Sequence, residues 1–182
     1  GSGIYRDFKL SVTDKVYVPK YGTTITSPTL EEQKNGAVDT LVKSRIVNQD
    51  DQAHSIYAEY EIVDQNGQVV SEKVRSEVQS VLAGQELNLS HTLHVEKPTL
   101  WDVKTNNPAL YTLYTRVYRD SQLVDVQKER FGYRYLNWTP EGGFFLNGVA
   151  TKFHGVSLHH DHGALGAEEN YKAEYRRLKQ MK

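Results

Sequence analysis

Cysteine is absent from the 182 residues, which excludes a disulfide scaffold and a thiolate zinc site and leaves the redox compartment open. A basic surplus is absent too. Lys and Arg number 22 against 23 Asp and Glu, and a net charge of −1 offers nothing to nucleic acid or an anionic membrane. No apolar run approaches the roughly 18 residues that a spanning helix needs. The expected protein is soluble, with the cytoplasm and the periplasm or exterior equally open. Twelve Tyr and five Phe are too many for a disordered chain. The length suffices for one well-buried core and part of a second. Gly1-Ser2-Gly3 runs directly into strand-like residues, which gives the expectation of a piece cut from a longer protein.

To about residue 132 the dominant period is two. In AVDTLVKSRIV, Val38, Thr40, Val42, Ser44 and Ile46 share one face, and Asp39, Lys43 and Arg45 the other. HSIYAEYEIVD repeats the pattern, with Ile56, Ala58, Tyr60 and Ile62 facing in and Glu59 and Glu61 facing out. Asn66-Gly67 is expected to supply the two positive φ angles of a tight hairpin turn. VVSEKVRSEV then returns with Val70, Val74 and Val78 in phase, and ELNLSHTLHV puts Leu87, Leu89, His91, Leu93 and Val95 on one side. A last pair of strands flanks Asp120-Ser121. With GIYRDFKLSV at the start, the pattern gives an immunoglobulin-like antiparallel β-sandwich whose inward residues include Val42, Ile46, Ile56, Tyr60, Leu89, Leu93, Leu113 and Val117.

From residue 133 the character changes. Two short strand signals flank Asn147-Gly148, and AEENYKAEYRRLKQMK places Tyr171, Tyr175, Leu178 and Met181 on one stripe of an amphipathic helix expected over 168–182. A strand, a loop and a helix make a single β/α unit, the expected opening of a larger α/β domain. The expected domains are a sandwich over 1–132, then a linker and first β/α unit over 133–182.

The segment FHGVSLHHDHGALG, residues 153–166, holds four of the seven histidines. Read as a strand, it puts Phe153, Gly155, Ser157 and His159 on one face and His154, Val156 and Leu158 on the other. Val156 and Leu158 suit a helical shell and the small Gly155 and Ser157 a crowded barrel axis, which leaves His159 pointing inward at the carboxyl end, where barrels build active sites. A metal is disfavoured, since thiolates are missing and His159 and His160 would point apart. Acid/base work by an imidazole stays open on chemistry alone. His160, Asp161 and His162 read as loop residues, with Asp161 placed to orient an imidazole. His91 and His94 carry no functional signal.

SGIYRDFKL, LWDVKTNNPALYTL, VDVQKERFGYR, FFLNGVATKFHGVSLHHDHGALG and EYRRLKQMK stand in the order of similar segments in family-2 glycoside hydrolases. The chain most resembles the β-galactosidase branch, where a G-V-x-x-H segment carries further histidines and an acid. The resemblance implies a jelly roll, an immunoglobulin-like sandwich and a (β/α)8 barrel in the full-length enzyme. Of these, this chain would hold the sandwich followed by an incomplete β/α unit, the first of the barrel. It implies hydrolysis of terminal β-D-galactosides by two carboxyl groups about 5 Å apart. It makes His159 a substrate-binding residue, with His160 and Asp161 as secondary candidates. The acid/base glutamate of the family follows an asparagine, and no Asn-Glu pair occurs here; Glu141, Glu168, Glu169 and Glu174 are not placed for the role. Catalytic residues are therefore expected outside this chain, and the chain itself is expected to be inactive. No cofactor or metal is expected within it, and the resemblance leaves room for a divalent cation in the full-length enzyme. The expected partners are a carbohydrate substrate in that enzyme and a second copy of this chain, docked through an exposed C-terminal tail. A reading from another class is a stand-alone carbohydrate-binding or adhesion sandwich, with Trp101 and Trp138 as its aromatic platforms.

Overall fold

The computed structural model describes residues 8–105, 108–159, 162–168 and 170–182. Its strands are β1 Val16–Tyr17, β2 Thr23–Thr26, β3 Ala37–Asn48, β4 His54–Val63, β5 Val74–Arg75, β6 Gln79–Val81, β7 Glu86–Glu96, β8 Tyr111–Arg119, β9 Gln122–Phe131, β10 Leu136–Thr139, β11 Gly143–Leu146 and β12 Val149–Ala150. Helix α1 spans Leu30–Gln33, a 3-10 turn spans Gly163–Leu165, and α2 spans Tyr171–Met181. Two compact units result, one of Thr13–Thr151 and one of Gly1–Val12 with Lys152–Lys182.

Within the larger unit, every pairing between strands is antiparallel. Strand β3 pairs along its length with β7, from Ala37↔Glu96 to Val47↔Glu86. Its other edge takes β2 and β1 end to end, through Thr23↔Ser44 and Val16↔Asn48. In the second sheet β4 pairs with β8 on one edge and with β5 and β6 on the other, and β9 lies outside β8. Counting each end-to-end pair as one lane gives three lanes against four, the layout of an immunoglobulin-type sandwich.

Alternation sets which side chains fill the space between the sheets. All eight residues expected to face inward are buried, from Ile46 at 0% exposure to Leu89 at 7%. Thr40 and Ser44 are buried beside them, and each meets a tyrosine: Thr40 Oγ1 lies 2.8 Å from the Tyr133 hydroxyl, and Ser44 Oγ hydrogen-bonds the Tyr60 hydroxyl. Burial pushes both phenols above their ordinary pKa, so they stay neutral hydroxyls able to donate or accept.

The turns divide in an informative way. Asp120 and Ser121 take φ of 50° and 66°, and Asn147 and Gly148 take 51° and 77°, so each pair closes a two-residue hairpin. At 66–67 only Gly67 has positive φ, at 81°. The expected tight turn is replaced by a wider one, because the Asp64 carboxylate accepts from the backbone N–H groups of Asn66 (2.8 Å) and Gln68 (2.9 Å). Beyond it, the single strand expected from Val70 to Val78 is broken. The Oγ of Ser71 accepts from Ile62 N–H at 2.9 Å, and that of Ser76 from Ala58 N–H at 3.0 Å, where a ladder carbonyl would stand. Each side-chain acceptor displaces the backbone, and Val78 ends 54% exposed, against the expected phase.

Residues 133–151 form a three-stranded meander, β10–β11–β12, with Trp138 opposite Phe144 and Leu136 opposite Leu146. In the smaller unit two expected strands are not formed among the described residues. Residues 8–12 have no regular structure, and Phe8, Leu10 and Val12 are exposed, while 3–7 of the expected strand lie outside the described residues. Residues 152–159 likewise form no strand, because a strand needs a hydrogen-bonded neighbour and no described segment pairs with them. Helix α2 starts at Tyr171, later than expected, since the Asn170 side chain caps it by accepting from Lys172 N–H and Ala173 N–H. None of its residues is buried.

Candidate functional site

Four of the seven histidines fall in or beside one stretch of the smaller unit, after β12 has ended. His154 and His159 are both exposed, as are Phe153, Val156 and Leu158. The expected two-faced strand, with His159 on an inward face, is therefore not expressed here. A side chain points into a barrel only when strands on both sides complete the wall, and among the described residues none does. His160 and Asp161 lie outside the described residues. Among the described residues no group of three His, Cys, Asp or Glu is arranged to hold a metal ion.

His162 is the histidine of this stretch that finds a place. Its side chain is 5% exposed and Nε2 lies 3.0 Å from Glu174 Oε1, which also accepts from Arg177 Nη1 at 3.3 Å. The loop doubles back before the helix, with His162 N–H donating to the Gly166 carbonyl at 3.0 Å and Gly166 in positive φ. Glu174 thus lies beside the loop, but the approach lacks hydrogen-bond geometry and His162 Nε2 stays without a hydrogen bond among the described residues. Sequence reasoning gave His162 and Glu174 no partner; Asn170 ahead of an amphipathic run was the cue that sets the helix start and so turns Glu174 to the loop.

The two tryptophans part company. Trp101 lines a cleft of about 710 Å³ with Leu30, Phe131 and Arg130, and the Arg134 guanidinium sits 4.9 Å from its ring centre. Trp138 is 67% exposed, its ring centre 4.7 Å from that of Phe144.

Titratable groups converge at a place the sequence did not single out. His54 Nδ1 lies 2.7 Å from Asp120 Oδ2 and its Nε2 3.0 Å from Asp50 Oδ2, with 12% of the side chain exposed. Lys15 Nζ donates to Asp50 Oδ1 at 2.8 Å. The carboxylate of Asp120, and after it that of Asp50, raises the imidazole pKa. Asp50 is lowered, first by Lys15 and then by His54; Asp120 is lowered by the Ser55 N–H and then by His54. The cue was Asp50-Asp51 just ahead of His54, with the third partner far away in the chain.

The chain is an all-β sandwich of the immunoglobulin type, followed in sequence by a hairpin meander, a histidine-bearing loop and a helix. The sequence pattern of glycosyl hydrolases family 2 matches residues 17–134, and the chain belongs to that family. It is 37% identical over 182 residues to a Bacteroides ovatus protein named Beta-galactosidase BoGH2A, covering all of this chain and 21% of that protein. It is 28% identical over 164 residues to a Bacteroides fragilis Beta-glucuronidase, covering 90% and 23%. A solved family-2 structure from Bacteroides cellulosilyticus superposes with a TM-score of 0.80 at 28% identity, over 92% of this chain and 22% of that one. The chain spans about a fifth of the length of these relatives.

Proposed function

We propose that the chain is the sandwich and barrel-opening portion of a retaining glycosidase that releases terminal β-D-galactose, with its catalytic carboxylates outside these 182 residues. The observation that carries this reading is the 37% identity across the whole chain to a protein named as a β-galactosidase, against 28% for one named as a β-glucuronidase. In this reading the sandwich is a scaffold, and His159 lines the sugar pocket, where imidazole hydrogen-bonds a hydroxyl, with His160 and Asp161 beside it. A divalent cation, where one is needed, is bound elsewhere in the longer enzyme.

The test takes the longer polypeptide that contains this chain and compares chromogenic β-galactoside with β-glucuronide. A kcat/KM at least about tenfold higher for the galactoside is expected. His159→Ala should lower kcat/KM by roughly tenfold or more through lost transition-state contact, while the melting temperature of the sandwich holds. The 182-residue chain alone should hydrolyse neither substrate. Preference for the glucuronide, or full activity in the His159→Ala enzyme, would overturn the corresponding part of the reading.

One observation favours a second reading, a sugar-binding sandwich. Trp138, which is exposed, and the half-buried Phe144 form an aromatic pair of the kind that packs on the apolar face of a pyranose. Saccharide binding by the 182-residue chain, lost in Trp138→Ala, would select it.

A further inference from the structure

His54 stands where three connections of the sandwich meet. It opens β4, Asp50 lies in the β3–β4 connection, and Asp120 lies in the β8–β9 turn, while Lys15 immediately precedes β1. Carboxylate oxygens only accept hydrogen bonds, so neighbours at 2.7 Å and 3.0 Å on the two ring nitrogens require both to donate. Only the imidazolium carries two N–H groups. We propose that His54 is a protonation-controlled clasp, which when charged binds the β8–β9 turn to the β3–β4 connection and when neutral releases one of them.

The surroundings favour a real movement. Asp120 is held to the start of β4 from two sides, since its Oδ1 accepts from Ser55 N–H at 3.0 Å and its own N–H donates to the Ser55 carbonyl at 2.8 Å. Asp50 has no such double tie to β4; it reaches it through His54 Nε2, and Lys15 pulls it toward β1 at 2.8 Å. Loss of the imidazole proton therefore frees the Asp50 side. The other charges at this end are Asp51, beside Asp50, and Arg119, which donates to Asp14 at 2.7 Å. With His54 charged, the cations Lys15, His54 and Arg119 face Asp14, Asp50, Asp51 and Asp120. Without that charge, two cations face the same four carboxylates, and repulsion adds to the lost hydrogen bond.

The direction follows from linkage. The two carboxylates raise the folded-state pKa of His54. The clasp contributes fully below the unfolded value of about 6.5 and is lost as pH rises through the raised folded value. The end of the sandwich is locked while His54 is charged and its two carboxylates are ionised, and it loosens as pH rises through the raised His54 midpoint.

Two measurements on the 182-residue chain test this: nitrogen-detected NMR titration of the imidazoles, and melting temperature against pH for wild type, His54→Gln and His94→Gln. Both His54 nitrogens should carry protons at about pH 6, with a midpoint above about 6.5. The wild-type melting temperature should fall across that midpoint by about 3–6 °C for each tenfold loss in the folding constant. His54→Gln should flatten the fall. His94→Gln should keep it, because His94, though 2.7 Å from Asp39, is 64% exposed and bridges no connection. If His54→Gln does not fold, the wild-type titration decides alone. A midpoint at or below about 6.5, a bare ring nitrogen at about pH 6, or a His54→Gln profile that matches wild type overturns the clasp.

Discussion

Thr40 and Ser44 occupy positions in β3 where a sandwich core usually holds aliphatic side chains. They are tolerated because each finds a tyrosine hydroxyl, and the pairing makes both partners hostage to each other. Tyr133→Phe should lower the unfolding free energy by about 1–2 kcal/mol, since the Thr40 hydroxyl is left buried and unpaired. Adding Thr40→Val should recover much of that loss, because two matched apolar groups leave no orphan. Urea denaturation of both single variants and the double measures these numbers, and a double variant weaker than the sum of the singles would contradict the pairing. The inward direction of Thr40 and Ser44 was legible from the strand period alone. Their partners were not, because Tyr133 lies 93 positions away and only the closed fold brings it near. His54 escaped for the same reason: its tie to Asp120 spans 66 positions.

Among the elements, long strands with one buried face were readable, because slipping by one residue would expose the whole apolar set. What escaped were places where a side chain replaces a backbone partner. Ser71 and Ser76 take ladder positions opposite β4 and cut the strand expected over 69–78 down to β5, with β6 starting only beyond it. Ser76→Ala should therefore destabilise by about 1–3 kcal/mol, the cost of an unpaired buried N–H at Ala58, as thermal or urea unfolding would report. The Asp64 turn is a similar case with a pH signature. Its carboxylate pKa is lowered, first by the Gln68 N–H. A lowered pKa means stability present above the unfolded value of about 3.9 and lost as pH falls through the folded one. Asp64→Ala should melt below wild type at neutral pH, and the gap should close in acid. A gap independent of pH would rule out the charge as its source.

At the scale of the molecule, the sandwich was the legible half and the tail was not. The sandwich buries its pattern within itself; the tail carries a readable stripe with nothing among the described residues to bury it. Tyr171, Tyr175, Leu178 and Met181 are all more than half exposed, and Phe153 and Val156 more so than Leu178. Apolar surface returns about 25 cal/mol per Å² when covered, so a second copy of the chain is the proposed cover. Light scattering should show association that grows with concentration. Deleting 152–182, which leaves the meander and its last strand at Ala150 intact, should abolish it. A strict monomer at every concentration would reject the self-docking.

The two buried hydroxyl pairs have a mechanical consequence as well. Thr40 and Ser44 are four residues apart on one strand, a separation of about 13 Å. One pin lets two plates swivel; two pins stop both swivel and slide. A load that pulls β3 along its length must break the Ser44 link to β4 and the Thr40 link to the segment just past β9, together with the packing around them. The sandwich should therefore carry force as a stiff strut, yielding in one step rather than creeping.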